Sequence, residues 1–379
     1  VPLPGADFAG VVQKLPSGYS GDLQIGDPVF GLAREGMLRN FANVPMSCVT
    51  RMSRGLSFEE AAQLPMVFLT VEYALGEEGA DLKAGERILI HSAAGGVGLA
   101  AIQYAQRVGA EVFATASDPK QDYLRSLGVR FLSTTRDEEK FTSDMEKMVS
   151  NRGVDVILNS LTSGDMISRS LTLLNTGGRF AEIGKRNVWS KERVSATRPD
   201  AKYVCHSLNE LLPTQPDRLV PMLKHVAETI ELGRARPLPM KVFEMRNELV
   251  PAFRWLQSGK AIGKVVVKVS SAPTFSQRES GTVLITGGLG GLGLVTAEAL
   301  ATAGASCVVL VSRSGVIKYT EQGLDERLES LKNHSSTRIV IEQCDTSDEN
   351  QVIALLERIR VSYGPLRVVV HAAGVLSDA

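Results

Sequence analysis

Arg87-Ile88-Leu89-Ile90-His91-Ser92-Ala93-Ala94-Gly95-Gly96-Val97-Gly98 decides the fold. An apolar run, Ile88–Ile90, enters a turn of small residues, and Ile102 and Ala105 follow at helical spacing. The turn reads AxGxxG, with Ala93 in the first glycine place and Ala94, Gly96 and Val97 as the variable residues. The residue types have physical reasons. Gly95 lets the backbone approach a pyrophosphate, and Gly98 lets the helix pack closely on its strand. The free N–H groups at the helix start supply a partial positive charge. Strand before and helix after is the context that gives such a turn its meaning.

Further strands are expected at Glu111–Ala116, Val129–Ser133, Val154–Asn159 and Arg179–Ile183, with a helix near Arg218–Leu232. Strands alternating with helices predict a parallel, doubly wound sheet. A second turn, Thr286-Gly287-Gly288-Leu289-Gly290-Gly291-Leu292-Gly293, fits TGxxxGxG after the strand Val283–Thr286. Strands at Cys307–Ser312, Arg338–Gln343 and Arg367–His371 and a helix at Gln351–Val361 continue this series. It stops after four strands, too few for a complete doubly wound domain. Two such turns imply two nucleotide sites.

Upstream, Asp7–Val12, Asp27–Leu32 and Val44–Thr50 read as short strands joined by turns. Ser57-Phe58-Glu59-Glu60 reads as a capping box, and its helix is expected to end before Pro65. Downstream, a strand at Val242–Met245, a helix near Pro251–Gln257 and a strand at Lys264–Val269 are expected to return to the first domain.

The 379 residues carry 42 Lys plus Arg against 42 Asp plus Glu, so bulk charge points to no nucleic-acid or membrane partner. No apolar run approaches the roughly 18 residues needed to span a bilayer. Cys48, Cys205, Cys307 and Cys344 lie far apart with no CxxC pair, which predicts a reducing, cytoplasmic setting and no metal cluster. The chain begins without Met and stops in mid-pattern, so a fragment of a longer protein is expected.

An NAD site holds the ribose 2′-OH with an acid about 20 residues past the turn. Here Ser117 and Lys120 stand at the end of the second strand, suiting a 2′-phosphate, while Asp118 argues mildly against it. In the second series the place reads Ser312-Arg313-Ser314, with no acid. NADPH is the expected cofactor of both; the alternative for Lys120 and Arg313 is solvated surface charge. His91, at the end of its strand, reads as a structural partner rather than an acid.

Residues 1–269 resemble the enoyl reductase domain of type I polyketide synthases and animal-type fatty acid synthases, a zinc-free branch of the medium-chain dehydrogenase/reductase family. Residues 281–379 resemble the start of the adjoining ketoreductase. The resemblance rests on Leu3-Pro4-Gly5-Ala6-Asp7-Phe8-Ala9-Gly10, Asp155-Val156-Ile157-Leu158-Asn159-Ser160-Leu161, Glu182-Ile183-Gly184-Lys185, Ile262-Gly263-Lys264-Val265-Val266 and both turns. Zinc enzymes of the superfamily carry Gly-His-Glu where Gly5-Ala6-Asp7 stands, and Ala6 cannot ligate zinc.

The implied fold is α/β: a Rossmann doubly wound nucleotide domain (76–236) with a partial GroES-like β-rich substrate domain (1–75 and 237–269, incomplete at its start). A linker (270–280) leads to an incomplete second Rossmann unit of short-chain dehydrogenase type (281–379). The implied reaction is NADPH-dependent reduction of a trans-2-enoyl thioester, presented by an acyl carrier protein domain among other synthase domains in cis. A homodimer in the parent synthase is compatible with it. The resemblance makes Lys185 a candidate proton donor, against the plain reading of a surface lysine. The family's aspartate falls on Asn209, which hydrogen-bonds but supplies no proton at pH 7. Either Lys185 or water then covers the step, or the reductase is weak. Asn159 and Gly184 are carried over as cofactor-side residues, as are Asp345 and Ala372-Ala373-Gly374 in the second unit. That unit's expected Tyr and Lys are missing: neither Tyr319 nor Tyr363 opens a YxxxK string. A free-standing quinone-type reductase and a non-catalytic, NADPH-binding module of the same synthase remain as alternative readings.

Overall fold

The computed structural model describes residues 3–34, 36–134, 136–150, 152–205, 207–269, 281–318, 322–334 and 336–374; the side chains of Asn209 and His334 are also outside the description. The linker expected at 270–280, Tyr319 and the end of the chain from Val375 therefore lie outside the described residues. The chain divides into two compact units, Val1–Ser270 and Ser271–Ala379.

In the first unit, β1 (Asp7–Val11), β2 (Pro28–Leu32) and β3 (Val49–Arg51) form a three-stranded antiparallel sheet. The strand expected at Val44–Thr50 is replaced by a 3-10 turn, Met46–Cys48, after Pro45, and pairing starts only at Val49. Helix α1 (Phe58–Ala62) has the expected capping box: Glu60 N donates to Ser57 Oγ at 3.1 Å, and Ser57 N to Glu60 Oε2 at 2.8 Å. Pro65, expected only to mark a stop, opens α2 (Pro65–Leu75), where its missing N–H costs no hydrogen bond.

The nucleotide half contains β4 (Arg87–Ile90), α3 (Gly96–Val108), β5 (Glu111–Thr115), α4 (Asp118–Ser126), β6 (Phe131–Ser133) and α5 (Glu138–Val149). It continues through β7 (Val154–Asn159), α6 (Met166–Thr172), β8 (Leu174–Glu182), α7 (Lys191–Thr197), β9 (Lys202–Cys205), α8 (Leu208–Thr214) and α9 (Leu219–Glu231). Its six strands are all parallel, in the order β6-β5-β4-β7-β8-β9. This is the dinucleotide-binding order, reversing direction between β4 and β7. Successive residues of each strand enter opposite layers. Ile88 and Ile90 pack toward α2, α3 and α9, while Leu89 packs toward α5 and α6. Burial on both faces is why these strands are continuously apolar.

The chain returns through β10 (Met240–Glu244), α10 (Met245–Gln257) and β11 (Lys264–Lys268); β10 and β11 pair in parallel. The second unit has β12 (Thr282–Thr286), α11 (Gly291–Thr302), β13 (Cys307–Ser312), α12 (Leu324–His334), β14 (Arg338–Gln343), α13 (Glu349–Ser362) and β15 (Leu366–His371). Its parallel sheet runs β14-β13-β12-β15, with α11 and α12 on one face and α13 on the other. Both units are thus α/β with Rossmann-like parallel sheets. Among the described residues no helix is long and apolar enough to cross a membrane.

Candidate functional site

The first Gly-rich turn joins β4 to α3. Gly95 caps α3, and among the described residues no side chain hydrogen-bonds at this cap, which leaves the helix's first N–H groups free. The glycines divide by task. A Cβ on Gly98 would lie 2.5 Å from Ala93 Cα, whereas one on Gly95 would meet only the Ser92 carbonyl oxygen, at 3.3 Å. Gly98 therefore closes the turn and Gly95 keeps its outer side open, the arrangement a pyrophosphate needs. Ala93 and Ala94 are buried beneath the turn; Val97 is half-buried.

A clamp that the sequence reading did not single out holds this turn. Gly263 N donates to the Ala94 carbonyl at 2.9 Å, and Gly95 and Gly263 form a parallel bridge. Lys264 lays its stem beside Gly96, and its Nζ pairs with Asp7 Oδ2 at 2.8 Å. Asp7 Oδ1 accepts from Met66 N at 2.8 Å. The signal was in the quoted strings Gly5-Ala6-Asp7 and Gly263-Lys264, but only the fold brings together residues 257 apart.

At the end of β5, Ser117 is half-buried, and Lys120 Nζ donates to the Ala261 carbonyl at 2.7 Å. Burial first, and then the charge of Arg136, push the Lys120 ammonium below its ordinary pKa. Arg136 follows β6, the neighbouring strand, and was missed because nothing in local spacing links it to Ser117. Neither cation joins an ion pair among the described residues. Two mutually repelling cations, one of them just past Ser117, with Asp118 Oδ1 taken by Gln121 at 3.3 Å, suit a phosphate dianion.

Asn159 does not present its amide to the surface. It is fully buried: Nδ2 donates to Glu182 Oε2 at 2.6 Å, and Oδ1 lies 2.7 Å from His91 Nδ1. Oδ1 also accepts from Leu161 N at 3.3 Å, which assigns the His91 proton to Nδ1. Burial lowers the His91 pKa to about 4, against the opposing pull of the Asn159 hydrogen bond. Burial raises that of Glu182, although hydrogen bonds from Gly184 and Asn159 act the other way.

These shifts give a pH prediction. Unfolded His91 gains a proton below its ordinary 6.5, while the folded one resists until about 4. His91 therefore removes stability as pH falls from 6.5 to 4, on the order of 3 kcal/mol in all. Glu182 works in the opposite sense above its ordinary 4.5, since the folded form holds its proton longer. Urea unfolding of the chain and of His91→Gln isolates the histidine: the stability difference between them is expected to shrink with acid. A difference constant from pH 7 to 4 overturns this.

Gly184 and Lys185 follow β8, beside this network. Lys185 is exposed, and its Nζ lies 3.4 Å from Oγ of Ser207, the residue that opens α8. Asn209 is the second residue of α8, so both residues taken from the resemblance stand at one edge of the sheet, beyond β8 and β9.

In the second unit, Gly290 caps α11 as Gly95 caps α3, and a Cβ on Gly291 would meet nothing within 4 Å. A Cβ on Gly293 would lie 2.5 Å from the Gly287 carbonyl oxygen, and one on Gly287 would lie 2.8 Å from Ala373 Cα. Gly287, Gly288, Ala372 and Ala373 thus meet at one edge, with Gly374 exposed beyond them. Leu289 is buried in the core and Leu292 faces outward, so only backbone at these two positions can serve a ligand. Ser312 Oγ accepts from Gly315 N at 2.9 Å, and Ser314 Oγ donates to the Val316 carbonyl at 3.0 Å. Arg313 is exposed and helps hold Asp345 below the usual carboxylate range, an effect set first by the Ser347 backbone and hydroxyl.

Family models match in two places: residues 96–206 match the "Zinc-binding dehydrogenase" family and residues 281–379 the "KR domain". Among the described residues no three His, Cys, Asp or Glu side chains converge, so no ligand set here fits the zinc of the first description. Pks1 of Mycobacterium tuberculosis, a phenolphthiocerol synthesis polyketide synthase type I whose name carries the qualifier inactive, is 38% identical over 99% of the chain. The chain spans 22% of that relative's length. The crystal structure of CurK enoyl reductase is 40% identical with a TM-score of 0.66, covering 71% of this chain and 80% of that one. The CurF ER cyclopropanase of the curacin A pathway is 37% identical with a TM-score of 0.67, covering 70% and 78%. The fold, the two dinucleotide turns and these relatives lead to one conclusion: the chain belongs to the enoyl reductase family of type I polyketide synthases, an oxidoreductase family, and continues into a ketoreductase unit.

Proposed function

We propose that the first unit reduces a trans-2-enoyl thioester, borne by a carrier protein domain of a cytoplasmic synthase, with NADPH. The observation that carries this reading is the couple Lys120 and Arg136, in no ion pair among the described residues, which follow β5 and β6 on the same sheet edge as the open turn at Gly95 and the Lys185 loop. NADPH held there supplies a hydride to the thioester's β-carbon. Electron density moves to the thioester oxygen, and the α-carbon takes a proton, which by family resemblance comes from Lys185 or, with Asn209 at the family's aspartate position, from water. The α3 N-terminus and the Asp7–Lys264 clamp hold the turn for the pyrophosphate, and Lys120 and Arg136 hold the 2′-phosphate. In the second unit, Gly287–Gly293, Ser312–Ser314, Asp345 and Ala372–Gly374 offer a second nucleotide cradle.

The test is cofactor oxidation with a trans-2-enoyl thioester, using NADPH and NADH in parallel. Turnover is expected with NADPH and little with NADH, and the product is the saturated thioester rather than a ring of the kind named for CurF. Lys120→Ala with Arg136→Ala is expected to raise the KM for NADPH roughly 10–100-fold and leave that for NADH unchanged, the worth of hydrogen bonds to a charged group. Equal use of both cofactors overturns the 2′-phosphate reading. Asn209, which cannot donate a proton, favours one second reading: a module that binds NADPH without turnover, shown by binding with no product.

A further inference from the structure

We propose that Glu182 is a positioning residue: its buried carboxylate ties the Gly184–Lys185 turn to the cofactor turn through Asn159 and His91. The proposal rests on the reading of Lys185 as a proton donor. Glu182 ends β8 and is 1% exposed. No cation faces it among the described residues. Gly184 N donates to Oε1 at 2.6 Å and Asn159 Nδ2 to Oε2 at 2.6 Å. Both oxygens thus accept from N–H donors, which favours the ionised form against the burial that disfavours it.

Burying a charge without a counterion is costly, and an apolar residue of similar volume serves a core position better. What the carboxylate contributes is geometry. A Cβ on Gly184 would lie 2.7 Å from Glu182 Oε1 and 2.7 Å from Thr162 Cγ2, so the turn rests directly on the carboxylate. Asn159 passes the hold to His91, the residue that leads into the Gly-rich turn. The ends of β4, β7 and β8, neighbours in the sheet, are thereby joined by three consecutive side chains. The cofactor turn and the Lys185 turn leave that sheet from the two ends of this chain of bonds.

Glu182→Gln tests this with little change of shape. Glutamine has one acceptor oxygen for two donors, so one donor faces an amide NH2. Three readouts are taken on the full chain: amide exchange at Gly184, NADPH affinity, and kcat and KM for a trans-2-enoyl thioester. The variant is expected to lose protection at Gly184 by roughly tenfold or more, to bind NADPH within about threefold of the parent, and to lose about 10²-fold in kcat. Combined with Lys185→Ala it is expected to cost nothing further, because it acts through Lys185. Unchanged exchange at Gly184, or losses that multiply in the double variant, overturns the proposal. A parent chain that binds NADPH but reduces no enoyl thioester sinks the proposed function alone, and the exchange result still decides the role of Glu182. Should the variant fail to fold, the parent's Gly184 amide decides: exchange as fast as that of exposed Arg186 means that the carboxylate holds nothing.

Discussion

Replacing Lys185 by alanine is expected to lower kcat for enoyl thioester reduction by about 10²–10⁴-fold while NADPH binding stays unchanged. The range is that of a lost general acid. The upper half is expected, because an asparagine at position 209 has no proton to give at pH 7 in place of the lost lysine. The separation of effects follows from the fold. Lys185 follows β8, whereas Ser117, Lys120 and Arg136 lie beyond β5 and β6, on the other side of β4 and β7. Rapid-mixing kinetics with NADPH and the thioester measure kcat and both KM values. A variant retaining more than a third of the parent's kcat makes Lys185 a surface lysine and leaves the proton to water.

The second large effect concerns the turn itself. Gly98→Val is expected to destabilise the first unit by about 3 kcal/mol or more and to abolish cofactor binding, since even its first carbon would lie 2.5 Å from Ala93 Cα and 2.7 Å from the Ala93 carbonyl carbon. Backbone atoms cannot move aside as a side-chain tip can. Gly95→Val is the contrast. Its Cβ meets only one atom, at 3.3 Å, so the chain is expected to fold normally but to bind NADPH roughly 10²-fold more weakly, because the branched side chain occupies the pyrophosphate's path. Urea unfolding with NADPH fluorescence titration separates the two. Equal folding and equal binding defects in both variants would refute the division of tasks.

Local chemistry explains what the sequence makes legible. A strand buried on both faces writes itself as a continuous apolar run, and a dinucleotide turn writes itself in glycines. Hence both sheets, the turns at Gly95–Gly98 and Gly287–Gly293, and the capping box at Ser57 can be read directly. Pro65 misleads because proline both stops and starts helices, and the residues after it decide which. β9 escapes notice because only four residues, Lys202–Cys205, pair, along one edge of the sheet. The harder misses are non-local. Arg136 gains meaning only because β6 lies beside β5, and Asp7 only because Lys264 returns to it. Asn159 is placed near the cofactor side by its string, yet its amide turns inward to Glu182. A buried acid on a neighbouring strand leaves no mark in the spacing of either string.

The Asp7–Lys264 pair also orders events during synthesis. The two residues are 257 apart. At about 5–20 residues per second, Asp7 leaves the ribosome roughly 13–50 s before its partner does. Through that interval β4, α3 and β5 can form, but Gly95 has no Gly263 to bridge and Gly96 no lysine stem beside it. The nucleotide sheet can therefore assemble early, whereas a cofactor grip with both sides in place appears only when the last strand of the unit arrives. A released chain truncated before Gly263 is expected to carry the nucleotide sheet with an unclamped turn, and one extended through Lys264–Lys268 to regain the clamp.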